Sequence, residues 1–151
     1  MTVRPLHLAA AYATALALSL GGCSAAATPT GPVTLASVPA AAAAPANGAE
    51  LDAAAFAAAM KRPGTVVLDV RTPAEFAEGH LAGAINLDVN AADFRAKLGG
   101  LAKDIPYAVY CRSGNRSGTA LTIMKSLGFT STYHLGGGIQ AWTAAGGAVT
   151  T

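Results

Sequence analysis

A lone cysteine stands where an apolar run gives way to a helical pattern, and this junction restricts the fold more than any other feature of the chain. Residues 105–110 read as a short buried strand. Residues 117–127 carry apolar side chains at helical spacing and stop at Gly128. Between them run Cys111, Arg112, Ser113, Gly114, Asn115, Arg116 and Ser117. A strand-to-helix turn of this kind aims backbone N–H groups and the positive end of a helix at one point. That environment and the two arginines favour thiolate over thiol, and can bring a cysteine pKa from about 8.5 to roughly 3.5–7.5. Free cysteines are commonly inert core residues. Flanks of Arg, Ser, Gly, Asn and Arg argue against that here, and the loop reads as too polar for a core.

The surrounding segments alternate between strand and helix. Asp52 is placed to cap a helix over residues 53–60, with Phe56 and Met60 on one face. Pro63 and Gly64 make a turn, and residues 65–70 form a continuous apolar strand ending at Asp69 and Arg71. Thr72, Pro73 and Glu75 are an N-cap, N1 and N3 set that starts a short helix ending near Gly79. Residues 84–87 are a third strand. Residues 91–98 are a helix with Phe94 and Leu98 one turn apart, closed by Gly99 and Gly100. Residues 130–135 give a last strand, Gly136 to Gly138 a sharp turn, and residues 139–144 a closing helix bearing Trp142, read as core. The alternation predicts an α/β domain with a mainly parallel sheet. Ligands of such sheets bind outside the carboxyl ends of the strands, where Asp69 and Arg71 fall.

The 151 residues hold one domain, and part of the chain precedes it. Residues 1–22 have the order of an export signal: Arg4 near the start, a 13-residue apolar run from Leu8 to Leu20, then small residues. The run is short for a bilayer span. Leu20, Gly21, Gly22 and Cys23 resemble a bacterial lipobox, which implies acylation of Cys23 and a membrane anchor for a domain outside the cytoplasm. The alternative is an ordinary secretory signal cut after Ala27. Residues 23–48 form an Ala/Pro-rich tether, with no charged residue from Ser24 to Gly48 and prolines at positions 29, 32, 39 and 45. The domain occupies residues 49–151. Cys23 and Cys111 stand in such different contexts that separate roles are expected rather than a disulfide. A net charge of +2, scattered along the chain, excludes a nucleic-acid footprint.

Three ordered stretches together resemble the rhodanese (sulfurtransferase) family. They are residues 68–86, residues 111–117, and the run from Gly136 to Trp142. The resemblance covers about residues 50–145. It implies a five-stranded sheet flanked by helices, and a Cys111 that carries sulfane sulfur as a persulfide. Arg112, Ser113, Gly114, Asn115, Arg116 and Ser117 would then hold a small anionic donor such as thiosulfate, and a thiol or cyanide would accept the sulfur. Arg112 and Arg116 suit oxyanions, and loop N–H groups suit the anionic terminal sulfur. No general base and no cofactor are needed, and the His and Cys residues lack metal-ligand spacing.

Asp69 and Arg71 are supporting residues in this reading. Arg71 is expected to pair with Glu75 as scaffolding, and Asp69 to brace Arg116 or the loop hydroxyls. His80 reads as a turn residue with a satisfied hydrogen bond, and His134 has no assigned role. Two other classes compete: a persulfide-binding or sulfide-sensing module with an envelope protein partner, and a phosphatase or arsenate reductase. Cysteine-dependent phosphatases and arsenate reductases set one more residue between cysteine and arginine than the four found here, which gives a wider pocket for tetrahedral phosphate.

Overall fold

The structure, a computed structural model, describes residues 43–151. The expectations for the leader, for Cys23 and for the tether as far as residue 42 lie outside the described residues. Ten elements follow in strict alternation: β1 (Ala49–Leu51), α1 (Ala53–Met60), β2 (Val66–Asp69), α2 (Pro73–Glu78), β3 (Ile85–Asn86), α3 (Phe94–Gly99), β4 (Tyr107–Tyr110), α4 (Asn115–Ser126), β5 (Thr132–Leu135) and α5 (Gly138–Ala144). The strands form one five-stranded sheet in the order β1-β5-β4-β2-β3, and every pairing is parallel.

Local chemistry explains the helix starts. The Asp52 carboxylate accepts from the Ala55 amide and caps α1. Thr72 and Glu75 close a full capping box at α2, with Pro73 in the first turn. The helix over residues 91–98 is shorter than its pattern suggests, beginning only at Phe94, where Asp93 gives no side-chain cap.

Period-two alternation along β4 divides the core. Tyr107, Val109 and Cys111 belong to a cluster with Leu68, Phe94, Leu98, Leu121 and Met124. Ala108 and Tyr110 belong to the opposite cluster, with Phe56, Leu81, Tyr133 and Leu135. Each fully buried large aliphatic or aromatic side chain contributes about 1.5–3 kcal/mol, so both faces of the sheet must be covered. Trp142 is half-buried rather than central. It packs edge-on to Phe56 at 6.4 Å and donates its indole N–H to the Ala148 carbonyl.

The fifth strand, β1, was not legible as a strand from local pattern. It has three residues and pairs Ala49, Glu50 and Leu51 with Tyr133, His134 and Leu135. Asn47 secures it, accepting from the Thr132 amide and hydroxyl and donating to the Phe129 carbonyl.

Candidate active site

β4 ends at Tyr110, so Cys111 emerges at the carboxyl edge of the central strand, and α4 begins only four residues later. Gly114, at φ +100°, is the N-cap of α4 and makes no side-chain cap bond. Its amide instead donates to Cys111 Sγ at 3.1 Å, and the sulfur lies 3.5 Å from Ser117 Oγ. The cysteine therefore occupies the place of a capping acceptor, at the positive end of a 12-residue helix.

Burial pushes the Cys111 thiol up, but the Ser117 hydroxyl and the amides of Ser117, Ser113 and Gly114 outweigh it and hold the pKa below the ordinary thiol value. Cys111 is only 1% exposed and is a member of the core cluster, contrary to the expectation drawn from its polar flanks. The reason is geometric. The loop's polar side chains at Arg112, Ser113 and Asn115 are exposed, while Cys111 continues the inward alternation of Tyr107 and Val109.

α5 packs its N-terminus on the loop from the other side. Ile139 and Gln140 donate their amides to the carbonyls of Cys111 and Arg112. Gly138, at φ +60°, allows this approach, because a Cβ there would collide with both of those carbonyls.

The two arginines of the loop differ in disposition. Arg112 is exposed, and no side-chain hydrogen bond or ion pair engages it among the described residues. Arg116 is tied to Glu75 by two contacts of 2.7 Å, Nη1 to Oε2 and Nη2 to Oε1. The Arg116 fork, ahead of the burial that opposes it and with help from Thr72, holds the Glu75 carboxyl down at about 2.

This corrects the expected ion pairs. Arg71 binds Asp69 rather than Glu75, with Nη2 to Oδ2 at 2.6 Å, and Asp69 braces Arg71 rather than Arg116. Both are buried at the carboxyl end of β2, and the Arg71 amide also bonds Asp69 Oδ1. Arg71 Nη2 reaches the Gly79 carbonyl, and the guanidinium lies 5.6 Å from the centre of the Tyr110 ring. The Tyr110 hydroxyl in turn accepts from the Leu81 amide. The pair thus buttresses the 79–81 segment and the residue before Cys111. Glu75 lies one helix turn past Thr72, close enough to α4 to pair with Arg116, while the Asp69 carboxylate accepts from both the amide and the guanidinium of Arg71 and keeps it at the end of its own strand.

His80 bonds the Phe76 carbonyl through Nδ1 and stacks on the Phe76 ring at 3.7 Å. His134 is the residue that sequence reasoning left without a role. Its Nδ1 lies 3.0 Å from Ser117 Oγ and its Nε2 lies 3.4 Å from Glu50 Oε2. Burial lowers its pKa, with Glu50 opposing. The available signal was a titratable residue in an otherwise apolar strand directly before three glycines. Among the described residues, no group of three or more His, Cys, Asp or Glu is arranged to hold a metal ion.

A five-stranded parallel α/β sheet, with a cysteine seated in an amide-lined turn at the end of its central strand, defines a class of α/β domains built around a loop cysteine. Within that class the chain belongs to the rhodanese-like domain family, whose profile matches residues 52–145. It is similar to the thiosulfate sulfurtransferase GlpE of Pseudomonas fluorescens, 39% identical over 87 residues covering 57% of this chain and 77% of the relative. GlpE of Pseudomonas putida is 40% identical over 87 residues, with 56% and 74% covered. Among solved structures, a rhodanese-related protein from Thermoplasma volcanium superposes with a TM-score of 0.60 at 35% identity, covering 68% of this chain and 97% of that one. The rhodanese-like domain of the Alr3790 protein from Anabaena gives 0.59 at 28% identity, covering 67% and 77%. Family and relatives together support a sulfurtransferase-type function, that of a rhodanese-type transferase.

Proposed function

We propose that this chain moves sulfane sulfur from a small anionic donor of the thiosulfate type to a thiol or cyanide acceptor, through a persulfide on Cys111. The observation that carries the reading is the Gly114 amide directed at Cys111 Sγ at the N-terminus of α4. The Cys111 thiolate attacks the outer sulfur of the donor, a Cys–S–S⁻ bond forms, and the donor's S–S bond breaks to release sulfite with its electron pair. Cyanide or a thiolate then takes the outer sulfur and returns the thiolate. Charge stays negative at sulfur throughout, so fixed N–H donors serve better than a base. Exposed Arg112 meets the donor's oxygens, while the N–H groups of Arg116 not engaged by Glu75 add positive potential. Ser113, Gly114, Asn115 and Ser117 shape and line the turn.

The leader adds a location to this reading. The order of basic start, apolar run and Cys23 supports export, with a lipid anchor holding the domain outside the cytoplasm. Two or more acyl chains suffice for stable anchoring, at about 0.8 kcal/mol per buried CH₂.

The deep seating of Cys111, at 1% exposure, favours a second reading: a persulfide-holding module that hands its state to an envelope partner without rapid turnover. One experiment separates the two. The purified chain is treated with thiosulfate, its intact mass is measured, and thiocyanate is then assayed after cyanide addition. Gain of one sulfur atom followed by catalytic thiocyanate, both lost in Cys111→Ser, supports the transferase. Sulfur gain without turnover favours the module, and no sulfur gain sinks both.

A further inference from the structure

A line of polar groups enters the site from β1 and β5, and its outer members, His134 and Glu50, have no part in the sulfur transfer itself. Cys111 Sγ–H is directed at Ser117 Oγ at 3.5 Å, Ser117 Oγ lies 3.0 Å from His134 Nδ1, and His134 Nε2 lies 3.4 Å from Glu50 Oε2. Ser117 is fully buried and His134 is 7% exposed, whereas the Glu50 side chain is 69% exposed. The line therefore starts on an enclosed sulfur and ends on a carboxylate in water. The parallel register that sets Glu50 opposite His134 builds its outer half.

Ser117 has one hydroxyl proton and three acceptors around it: the Gly114 carbonyl at 2.8 Å, His134 Nδ1, and the sulfur once ionised. With Nε2–H facing the Glu50 carboxylate, Nδ1 is the accepting nitrogen. The Ser117 hydroxyl can then receive a proton from sulfur while giving its own to the ring. Among the described residues, no other group hydrogen-bonded to Cys111 Sγ can take that proton, since the amides of Gly114, Ser113 and Ser117 only donate.

We propose that Ser117 and His134 are a proton relay for Cys111, so that the thiol ionises by passing its proton to His134 Nδ1 through the Ser117 hydroxyl. The S–H bond breaks as a Ser117 O–H bond forms, and the former Ser117 O–H bond breaks as Nδ1–H forms. Thiolate and imidazolium result, with no net charge change in the site. The Nε2 proton then leaves to Glu50 or to water. Afterwards the Ser117 O–H points at the thiolate as a donor. Glu50 on β1 favours the imidazolium and burial opposes it. From α4, Arg116 favours the thiolate and opposes the imidazolium, though Glu75 on α2 offsets its charge. Exposed Arg112 in the loop acts in the same sense as Arg116, and Asp69 and Arg71 on the β2 side neutralise each other.

The relay rests on the reading that the Cys111 thiolate is the working nucleophile, but its test measures ionisation rather than turnover. The full chain, labelled with ¹⁵N-histidine and kept reduced, is titrated by NMR beside Cys111→Ala. Coupling is reciprocal, so loss of the thiolate lowers the His134 pKa by about one unit. An unchanged His134 pKa overturns the relay. In parallel, iodoacetamide alkylation is followed against pH. His134→Asn is expected to move the midpoint for Cys111 up by about one pH unit. A uniform rate change at an unmoved midpoint marks a merely structural histidine and also overturns the proposal. Should His134→Asn not fold, the Cys111→Ala titration decides alone. Coupled ionisation without thiosulfate turnover would uphold the relay and reject the donor assignment.

Discussion

Arg116 and Glu75 form a two-pronged ion pair, each prong 2.7 Å long, that ties the first turn of α4 to the first turn of α2. The first of these helices presents its positive end to Cys111, and the second follows the strand bearing Asp69. Glu75 also closes the capping box with Thr72, so one carboxylate serves two helices.

The pair makes stability depend on acid in a defined window. The Glu75 carboxyl is depressed from 4.5 to about 2 in the fold, chiefly by Arg116. Its contribution is full above the unfolded value and is lost as pH falls through the folded one. Both side chains are about a quarter exposed, so screening holds the contribution to roughly 1 kcal/mol. Glu75→Gln is therefore expected to be less stable than wild type by about that amount at neutral pH in urea titrations. The difference shrinks between pH 4.5 and about 2. A gap that stays constant over this range would refute the assignment.

The local signals that proved reliable were those with a short-range cause. Asp52 and the Thr72–Glu75 box mark helix starts because the capping acceptor lies within one turn of its donor. The apolar runs ending at Asp69, Tyr110 and Leu135 mark strands because both sheet faces are covered. β1 was hidden, since three residues including exposed Glu50 carry no periodicity and are held by Asn47 and β5. The partners of Arg71 and Glu75 were misassigned for a related reason. Helical spacing allows a 71–75 pair, but tertiary packing brings Arg116 from 41 residues away. A separation of 17 residues likewise concealed the link between Ser117 and His134.

Gly138 is expected to be intolerant of any side chain. An added methyl would meet the carbonyls of Cys111 and Arg112, and φ +60° is itself unfavourable for alanine. Gly64 provides the control, because its φ of +76° carries the backbone cost in open space. Gly64→Ala should lose about 1 kcal/mol, and Gly138→Ala clearly more, roughly 2–4 kcal/mol. Gly138→Ala should also slow Cys111 alkylation by displacing the loop. Equal losses at the two positions in denaturant titrations would argue against close packing of α5 on the loop.

Asp69 and Arg71 are a buried pair, and breaking one side strands the other. Asp69→Ala leaves the Arg71 guanidinium without its carboxylate beneath Tyr110 and should cost about 3–5 kcal/mol. Replacing both with apolar residues of similar volume, as in Asp69→Leu with Arg71→Met, should recover much of that loss. Chemical denaturation of the single and double variants measures it. A double variant no more stable than Asp69→Ala would show that Arg71's bond to the Gly79 carbonyl matters more than the ion pair.

Ser117→Ala removes the hydroxyl that touches Cys111 and, with it, the link from the sulfur to His134. The hydroxyl is the first influence that lowers the thiol against burial, and the amides of Ser117, Ser113 and Gly114 remain after its removal. The Gly114 carbonyl keeps a donor, because the Gly118 amide bonds it at 3.0 Å, so the helix start is preserved. A hydrogen bond to a charged group is worth about 1.5–3 kcal/mol, or about one to two pK units. The thiolate absorbance of the variant should therefore titrate about one to two units higher than in wild type. Because the folded thiol pKa is lowered, the deficit is greatest between the wild-type midpoint and the variant's higher one, where wild-type Cys111 is ionised and the variant is not. Alkylation and sulfur loading should be slow there and recover as pH rises past the new midpoint. An unmoved midpoint would mean that the amides alone set the charge on Cys111, and the hydroxyl contact at 3.5 Å would carry no weight in its ionisation.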